Sequence, residues 1–311
     1  MLKLKDGLTF EDLYERQGLE KLDAQFQAFL GAVDKDLLAT LNDGRADPDS
    51  LAGKDYSDFI IALSTHLDSF LVRLFGIEKE AARARQQHLD LVELFACKRK
   101  FVQLKAARTI NPEKAEAIDG PALEAELTAI FGGTFDQRTF AKHVMAWLGD
   151  RTANKDNLDL AMRYAAWAAH TEAGRERHKT DVVFKLFGRP DPFNLVPSST
   201  MVEHDITMLR QPDDDYYRRE GFNLTDPGMD LIESLYEANY CTICHDRDRD
   251  YCSRGLPADS EKKNGNFAVN ALGVTLVGCP LEVKISEMHK VMIDGDVLGA
   301  LAVITAANPL V

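Results

Sequence analysis

The sequence predicts an all-α protein, and three observations lead to this class. Apolar residues recur at helical spacing along most of the chain. Glycines and prolines interrupt these stripes at intervals that suit short connections between antiparallel helices. Strand-like alternation is clearest in a short run at 267–277, where we expect a small hairpin. The predicted organisation is a bundle-like helical domain at 1–175, an extended connector at 176–226 and a small helical module at 227–311.

The helices of the first domain are predicted from apolar stripes and their stop signals. The first stripe runs from Leu19 to Leu41 and ends at Asn42-Asp43-Gly44, so we expect one helix there. Pro121 stands in the first turn of a later helix, where the missing N–H has no intrahelical partner to lose. Further helices are expected at 59–74, 78–107, 120–131, 135–148 and 155–171.

The connector is predicted from its prolines, which stand at positions 190, 192, 197, 212 and 227. We expect an extended segment there, with one short strand or helix near 180–187. Beyond the connector, helices are expected at 228–238, from Leu281 to Met292 and from Leu298 to Ile304.

Composition excludes several classes of function. The chain of 311 residues has a formal net charge of −13, which argues against a nucleic-acid groove and an anionic membrane surface. No stretch approaches the ~20 apolar residues that span a bilayer. The N-terminus has no apolar core of a secretory signal, so we expect a cytoplasmic protein with reduced cysteines.

Four of the five cysteines lie within forty residues, at Cys241, Cys244, Cys252 and Cys279. A Cys-x2-Cys turn directs two sulfurs at one centre, and thiolates suit iron–sulfur clusters and zinc. Three close cysteines followed by Cys-Pro are a common arrangement around iron–sulfur clusters. We therefore predict these four residues as metal ligands. Iron–sulfur ligation is the favoured interpretation, and structural zinc and unliganded thiols are the alternatives.

Two residues outside this pattern have simpler interpretations. Cys97 lies in the middle of a predicted helix, far from the other cysteines in sequence, and is expected to be a small buried hydrophobe. His245 follows Cys244 in a run of charged residues at 245–250. We expect this run to be a solvated, self-paired surface and His245 to be a solvated histidine.

The cysteine segment also carries a resemblance to a known family. The matching residues are Ala238-Asn239-Tyr240-Cys241-Thr242-Ile243-Cys244, Cys252, Gly278-Cys279-Pro280-Leu281, Ile285-Ser286-Glu287, Gly295, Ala300, Ile304, Asn308 and Pro309. Residues 227–311 resemble the N-terminal iron–sulfur domain of flavin-dependent NAD(P)H oxidoreductases. This is the type found in the glutamate synthase small subunit and dihydropyrimidine dehydrogenase, which are similar to pyridine nucleotide-disulfide oxidoreductases. Residues 1–226 have no counterpart in that resemblance.

The resemblance implies a helical, ferredoxin-like module that holds one or two 4Fe-4S clusters. Cys241, Cys244 and Cys252 would ligate one cluster, and Cys279 would supply one ligand of the other. In the family further cysteines follow the Asn-Pro region, so residues beyond 311 would complete the clusters, and we expect a fragment of a longer chain. FAD and NAD(P)H would bind only in those downstream domains, since the sequence has no Gly-x-Gly-x-x-Gly.

Two functions from different classes follow. The first is the iron–sulfur electron-transfer portion of a flavin-dependent NAD(P)H oxidoreductase, which relays electrons between a flavin and a second redox centre. It would not be active alone, and its partners would be flavin and NAD(P)H-binding domains in cis or a partner flavoprotein. The alternative is a non-catalytic helical interaction protein with a structural zinc site made of four cysteines.

Overall fold

The structure is a computed structural model that describes residues 3–188, 191–196, 198–213, 216, 219–226, 228–259 and 266–310. These residues are mostly helical, as predicted. The chain divides into two compact units, Met1–Phe95 with Cys241–Val269 and Thr275–Val311, and Ala96–Tyr240 with Asn270–Val274. This division differs from the predicted boundaries at 175 and 226. Helical periodicity is a local signal and does not tell which helices pack together.

The first long helix predicted for this unit is interrupted in its middle. The predicted single helix at 19–41 is two helices, α1 (Arg16–Val33) and α2 (Lys35–Ala46). Asp34 between them has an extended backbone, and its side chain accepts the N–H of Leu37 over 2.9 Å. An aspartate N-cap of this kind satisfies a free donor of the new helix. The remaining helices that begin in this unit are α3 (Gly53–Phe75), α4 (Glu78–Cys97), α12 (Tyr251–Arg254), α13 (Ile285–Ile293) and α14 (Val297–Ala307).

Helix α3 is the centre of the first unit. One of its faces packs with α1 and α2 around Phe26, Leu30 and Phe70. Its other side packs against α13 and α14, where Val291 and Val303 lie in one apolar cluster with Ile60 of α3. The C-terminal helices therefore belong to the same core as the N-terminal ones.

The second unit is built around the alanine-rich helix α9 (Lys155–His170). Five alanines of α9 are buried, Ala161, Ala165, Ala166, Ala168 and Ala169. Trp167 of α9 lies over Gly120, where an added Cβ would come within 2.1 Å of the indole ring. Small side chains on α9 let its neighbours approach closely. These neighbours are a π-helical segment (Lys98–Ala106), α5 (Ala107–Thr109), α6 (Pro112–Ala115), α7 (Gly120–Ile130), α8 (Gln137–Gly149) and α10 (Glu172–Arg177).

The predicted connector contains the one regular sheet of the described residues. Strands β1 (Ser199–Glu203) and β2 (Ile206–Arg210) pair antiparallel, and Glu203 faces Ile206. The two turn residues His204 and Asp205 both have positive φ, 53° and 61°. This matches a type I′ hairpin turn, whose usual Asn-Gly signal is absent here. This hairpin was not predicted, and the strand or helix expected near 180–187 is absent from the described residues, where the chain is irregular.

The helix after the connector begins later than predicted. Helix α11 (Leu231–Ala238) starts at Leu231 rather than at 228, because Asp230 and Glu233 form a reciprocal capping box. Residues 189–190, 197, 214–215, 217–218 and 227 of the predicted connector and module lie outside the described residues. Within the described parts of the chain, no helix is long and apolar enough to cross a bilayer.

Candidate metal centre

The first two predicted ligands lie in one tight turn. Ile243 has a left-handed backbone with φ of 49°, and its N–H donates to Cys241 Sγ over 3.3 Å. Cys244 follows, buried, at the start of a 3-10 turn (Cys244–Arg247). A β-branched residue at positive φ is uncommon and costs about 1–3 kcal/mol, so the surrounding contacts must hold it in place. The turn therefore aims a backbone donor at the sulfur of Cys241.

Cys279 lies in a second turn of similar character. The backbone N–H groups of Val283, Leu281 and Glu282 surround its sulfur and lower the pKa of the thiol. Glu282 itself has a positive φ of 50°, and its N–H donates to the Cys279 carbonyl over 3.0 Å. Hydrogen bonds to the charged form of a group favour that form. The fold thus stabilises a thiolate at Cys279.

Cys252 is carried by α12, and its backbone joins that of Cys279. The N–H of Cys279 donates to the Cys252 carbonyl over 2.9 Å. Two glycines with φ of 89° make this approach possible, because a Cβ on Gly278 would lie 2.4 Å from the nitrogen of Gly255. The cysteines separated by 26 residues in sequence are therefore neighbours in the fold.

The segment between Cys252 and Cys279 folds back on itself, so that its two ends lie side by side. Pro257 pairs with Phe267, and Val269 pairs with Thr275. This agrees with the small hairpin predicted at 267–277, although residues 260–265 lie outside the described residues. The N–H of Leu256 also donates to the Leu276 carbonyl over 2.9 Å, which closes the base of the insert.

Electrostatics connect Cys252 to the first turn. Desolvation raises the pKa of the Cys252 thiol although the residue as a whole is exposed, and the charges of Cys244 and Cys241 raise it further. A like charge raises the pKa of a thiol in this way only when the two groups are close together. In the described ranges, however, no three His, Cys, Asp or Glu side chains are arranged to hold a metal ion. The four cysteines share a region of the first unit, and their ligation of a metal stays a prediction.

The prediction of a solvated His245 is wrong. The side chain is 7% exposed. Its backbone N–H donates to Ser286 Oγ over 3.0 Å, and its ring nitrogens lie 3.1 Å from Asp58 Oδ1 and 3.5 Å from Glu287 Oε1. Glu287 is fully buried and also accepts the hydroxyl of Ser57 over 2.7 Å. Glu287 stands four residues before Val291 on the buried face of α13, so the sequence places a carboxylate at an apolar position of this helix.

Three aspartates of the charged run at 245–250 pair with lysines outside the run, whereas we expected pairs within it. Asp246 pairs with Lys290, Asp248 with Lys54, and Asp250 with Lys284. The lysine partners lie in α3, in α13 and directly before α13. The run is therefore held to the rest of the first unit by ion pairs.

Lys284 is the most buried of these partners. Its ammonium donates to Asp250 Oδ2 over 2.8 Å and to Ser253 Oγ over 2.9 Å. Burial acts to raise the pKa of Asp250, but the hydrogen bonds from Lys284 and Ser253 outweigh it and lower that pKa. The pair fixes the helix that carries Cys252 beside the segment that carries Cys279.

The buried Cys97 agrees with its interpretation as a small core residue. It is fully buried, and desolvation raises the pKa of its thiol well above the ordinary range. A thiol of this kind is inert toward metals and alkylating reagents while the fold is intact. Cys97 therefore serves as an internal contrast to the other four cysteines.

Comparison with known proteins gives two matches. The family described as the RP005 N-terminal alpha-helical domain matches residues 4–76. The uncharacterized protein RP005 of Rickettsia prowazekii (strain Madrid E) is 33% identical over 298 residues, which cover 93% of this chain and 97% of that protein. No solved structure matches the chain.

Proposed function

This chain belongs to the RP005 family, and we propose that its cysteine region holds a 4Fe-4S cluster that relays electrons between a flavin and a second redox centre. One observation carries the proposal. Backbone N–H groups are directed at the sulfurs of Cys241 and Cys279, in two turns whose backbones have positive φ. Such donors stabilise thiolates and are one of the means by which proteins set cluster potentials.

The donor set fits a soft metal centre. The predicted ligands are four thiols, and thiolate sulfur is the ligand that iron–sulfur clusters take. In this proposal Cys241, Cys244 and Cys252 hold one cluster, and Cys279 supplies a ligand to a second. When bound, the cluster takes up and releases single electrons. The chain's own groups hold the thiolates and offset their charge with backbone N–H donors at Cys241 and Cys279.

A four-thiolate zinc site is the second candidate. It is supported by the hydrogen bond from the Cys279 N–H to the Cys252 carbonyl, which makes the backbones of these two residues neighbours. A closed set of four cysteines is the usual ligand set of a structural zinc ion. The chain would then be a helical interaction protein without redox chemistry.

Metal analysis of anaerobically purified protein separates the two candidates. Iron–sulfur clusters absorb broadly in the visible region, whereas zinc is colourless, so we expect a brown protein with iron and acid-labile sulfide. Cys241→Ser should lose most of the iron, because it removes a ligand. Cys97→Ala, which changes the one cysteine outside the region, should keep the wild-type iron content.

Two results contradict the proposal. Stoichiometric zinc without iron after anaerobic reconstitution would support the structural zinc site instead. Failure to bind either metal would exclude both candidates.

The proposed partners are flavin and NAD(P)H-binding domains in cis or a partner flavoprotein in the cytoplasm. The 311-residue chain alone should therefore not oxidise NAD(P)H.

A further inference from the structure

We propose that a cavity in the second unit binds a small organic phosphate, independently of the cysteine region. The cavity has a volume of about 530 Å³. It lies between the C-terminal end of α9, α10 and the irregular segment at 181–188. Pockets for small organic ligands have volumes of roughly 300–1,000 Å³, so the cavity has the size of a ligand site.

The lining of the cavity has an unusual charge for this chain. Arg175, Lys179 and Lys185 line it together with His170 and His178, and none of the described residues that line it is an aspartate or glutamate. The sequence has 50 acidic and only 37 basic residues. A cleft lined by one sign of charge concentrates ligands of the opposite sign. This cavity is therefore suited to an anion, although the net charge of the whole chain is negative.

Two of the three cations have no carboxylate partner among the described residues. Arg175 donates to the carbonyl of His170 over 2.7 Å, and the Lys185 ammonium lies 5.1 Å from the ring centre of Tyr236. Lys179 pairs with Glu176 in an exposed ion pair, which is worth little in water. The positive charge of Arg175 and Lys185 is available to a ligand.

The floor of the cavity is apolar and buried. Ala168, Ala169 and Phe184 contribute to it. His178 beside them is fixed from both sides, since its Nδ1 lies 2.6 Å from Asp181 Oδ2 and its Nε2 lies 2.7 Å from the Tyr164 hydroxyl. The cavity thus combines a cationic rim with an apolar floor, which matches a ligand with a flat apolar body and one anionic group.

Lys98 holds one wall of the cavity in place. Its buried ammonium donates to the carbonyls of Val182 and Lys185 over 2.9 and 2.7 Å. The same ammonium lies 4.5 Å from the ring centre of Tyr236 and 5.0 Å from that of Phe187. Lys98 is the first residue of the π-helical segment, and such wide turns occur frequently at functional sites.

Two further side chains fix the same wall. Gln137 Oε1 accepts the N–H of Val182 over 2.9 Å. The Tyr236 hydroxyl donates to the Leu186 carbonyl and accepts the N–H of Gly188, both over 3.0 Å. A segment without regular secondary structure is in this way held in one conformation. Preorganisation lowers the entropy that binding must otherwise overcome.

Phosphate is the anion that the rim fits best. The planar guanidinium of arginine matches phosphate oxygens with paired N–H donors, and lysine adds a flexible point charge. The exposed positions of Arg175 and Lys185 leave both groups free to turn toward a bound phosphate.

Calorimetric titration of the full chain tests the proposal with adenosine 5′-monophosphate, flavin mononucleotide and inorganic phosphate. We expect at least one of the two nucleotides to bind about tenfold more tightly than inorganic phosphate, because it adds the apolar body. Arg175→Ala with Lys185→Ala should weaken that binding at least about tenfold, since each lost charged hydrogen bond is substantial. Arg151→Ala with Lys155→Ala removes the same charge from two exposed residues outside the cavity and should leave the affinity unchanged.

A second measurement avoids any effect of the substitutions on folding. In the wild-type chain, saturating nucleotide should slow acetylation of Lys185 and Lys179 relative to Lys155, as followed by peptide mass spectrometry. The proposal is overturned if none of the three probes binds up to about 10 mM. It is also overturned if both double variants bind with wild-type affinity, or if inorganic phosphate binds at least as tightly as both nucleotides.

Discussion

Gly299→Ala tests whether the N-terminal and C-terminal helices form one core. Gly299 lies in the first turn of α14, where a Cβ would stand 2.4 Å from the Ser64 carbonyl of α3 and 3.3 Å from Asp68 Cβ. Ordinary van der Waals contact begins at 3.4 Å, so α14 must move away from α3 by about 1 Å. The clash is with backbone, which cannot rotate away as a flexible side chain can.

The magnitude follows from three contributions. Overpacking a well-packed contact costs about 1–3 kcal/mol. The hydrogen bond from the Gly299 N–H to Asp68 Oδ1, 3.0 Å long, is stretched at a cost of about 1 kcal/mol. The better helix propensity of alanine returns about 1 kcal/mol. We therefore expect the first unit to lose about 2 kcal/mol of stability.

Gly149→Ala is the matched control. Gly149 is the last residue of α8, has no neighbour within 4 Å of an added Cβ, and does not have a left-handed backbone. The same substitution should there stabilise the second unit by about 0.4–1 kcal/mol, because alanine restricts the unfolded chain.

Hydrogen exchange followed by mass spectrometry measures the effect in each unit separately. A loss of about 2 kcal/mol should speed exchange in α3 and α14 of Gly299→Ala about thirtyfold. The urea transition seen by tryptophan fluorescence should not move, because both tryptophans, Trp147 and Trp167, lie in the second unit. Unchanged or slower exchange in α3 and α14 would refute the reasoning.

Three further predictions concern individual side chains. Tyr164→Phe should destabilise the second unit by about 1–3 kcal/mol, because Glu124 and His178 lose the hydroxyl that lies 2.8 and 2.7 Å away; an unchanged urea midpoint in tryptophan fluorescence would contradict this. Asp136→Ala should cost about 1 kcal/mol at neutral pH, since Asp136 caps α8. The pKa of Asp136 lies below its ordinary value of 3.8, chiefly because its carboxylate accepts the N–H of Thr139. The stability that Asp136 adds is therefore present above pH 3.8 and is lost as the pH falls through the lower pKa of the folded state. A difference in melting temperature between wild type and variant that does not change with acid pH would contradict this. In metal-free protein, iodoacetamide should modify Cys279 at lower pH than an ordinary thiol, and it should modify Cys97 only after unfolding. Equal labelling of Cys279 and Cys97 in peptide mass spectra of the folded protein would contradict the lowered pKa of Cys279.

The sequence was sufficient for most helices because their apolar stripes and stop signals agree. The prediction at 155–171 matches α9, and the prediction at 135–148 matches α8 within two residues. It failed at Asp34, because the apolar stripe continues through Val33 and Leu37 and hides the break. It also missed the hairpin of β1 and β2, whose turn residues His204 and Asp205 are unusual at positive φ.

The candidate site was predictable only where its residues are close in sequence. The Cys-x2-Cys spacing marks the turn at Cys241 and Cys244 directly. The contact of His245 with Asp58 joins residues 187 positions apart, and the contact of Ser57 with Glu287 joins residues 230 positions apart. One sequence contains no signal that links such distant positions, so the buried surroundings of the cysteine region became visible only in the fold.

The contact between Asp68 and Gly299 spans 231 positions of the chain. A ribosome adds about 5–20 residues per second, so roughly 12–45 s separate the emergence of these two residues. During that interval the face of α3 that carries Ile60 and Ile61 has none of its final neighbours Val291, Ala300 and Val303. All of the second unit except Asn270–Val274 is synthesised before α13 and α14, the last two helices of the first unit. Nascent chains of this protein should therefore spend this interval with that face of α3 exposed to water.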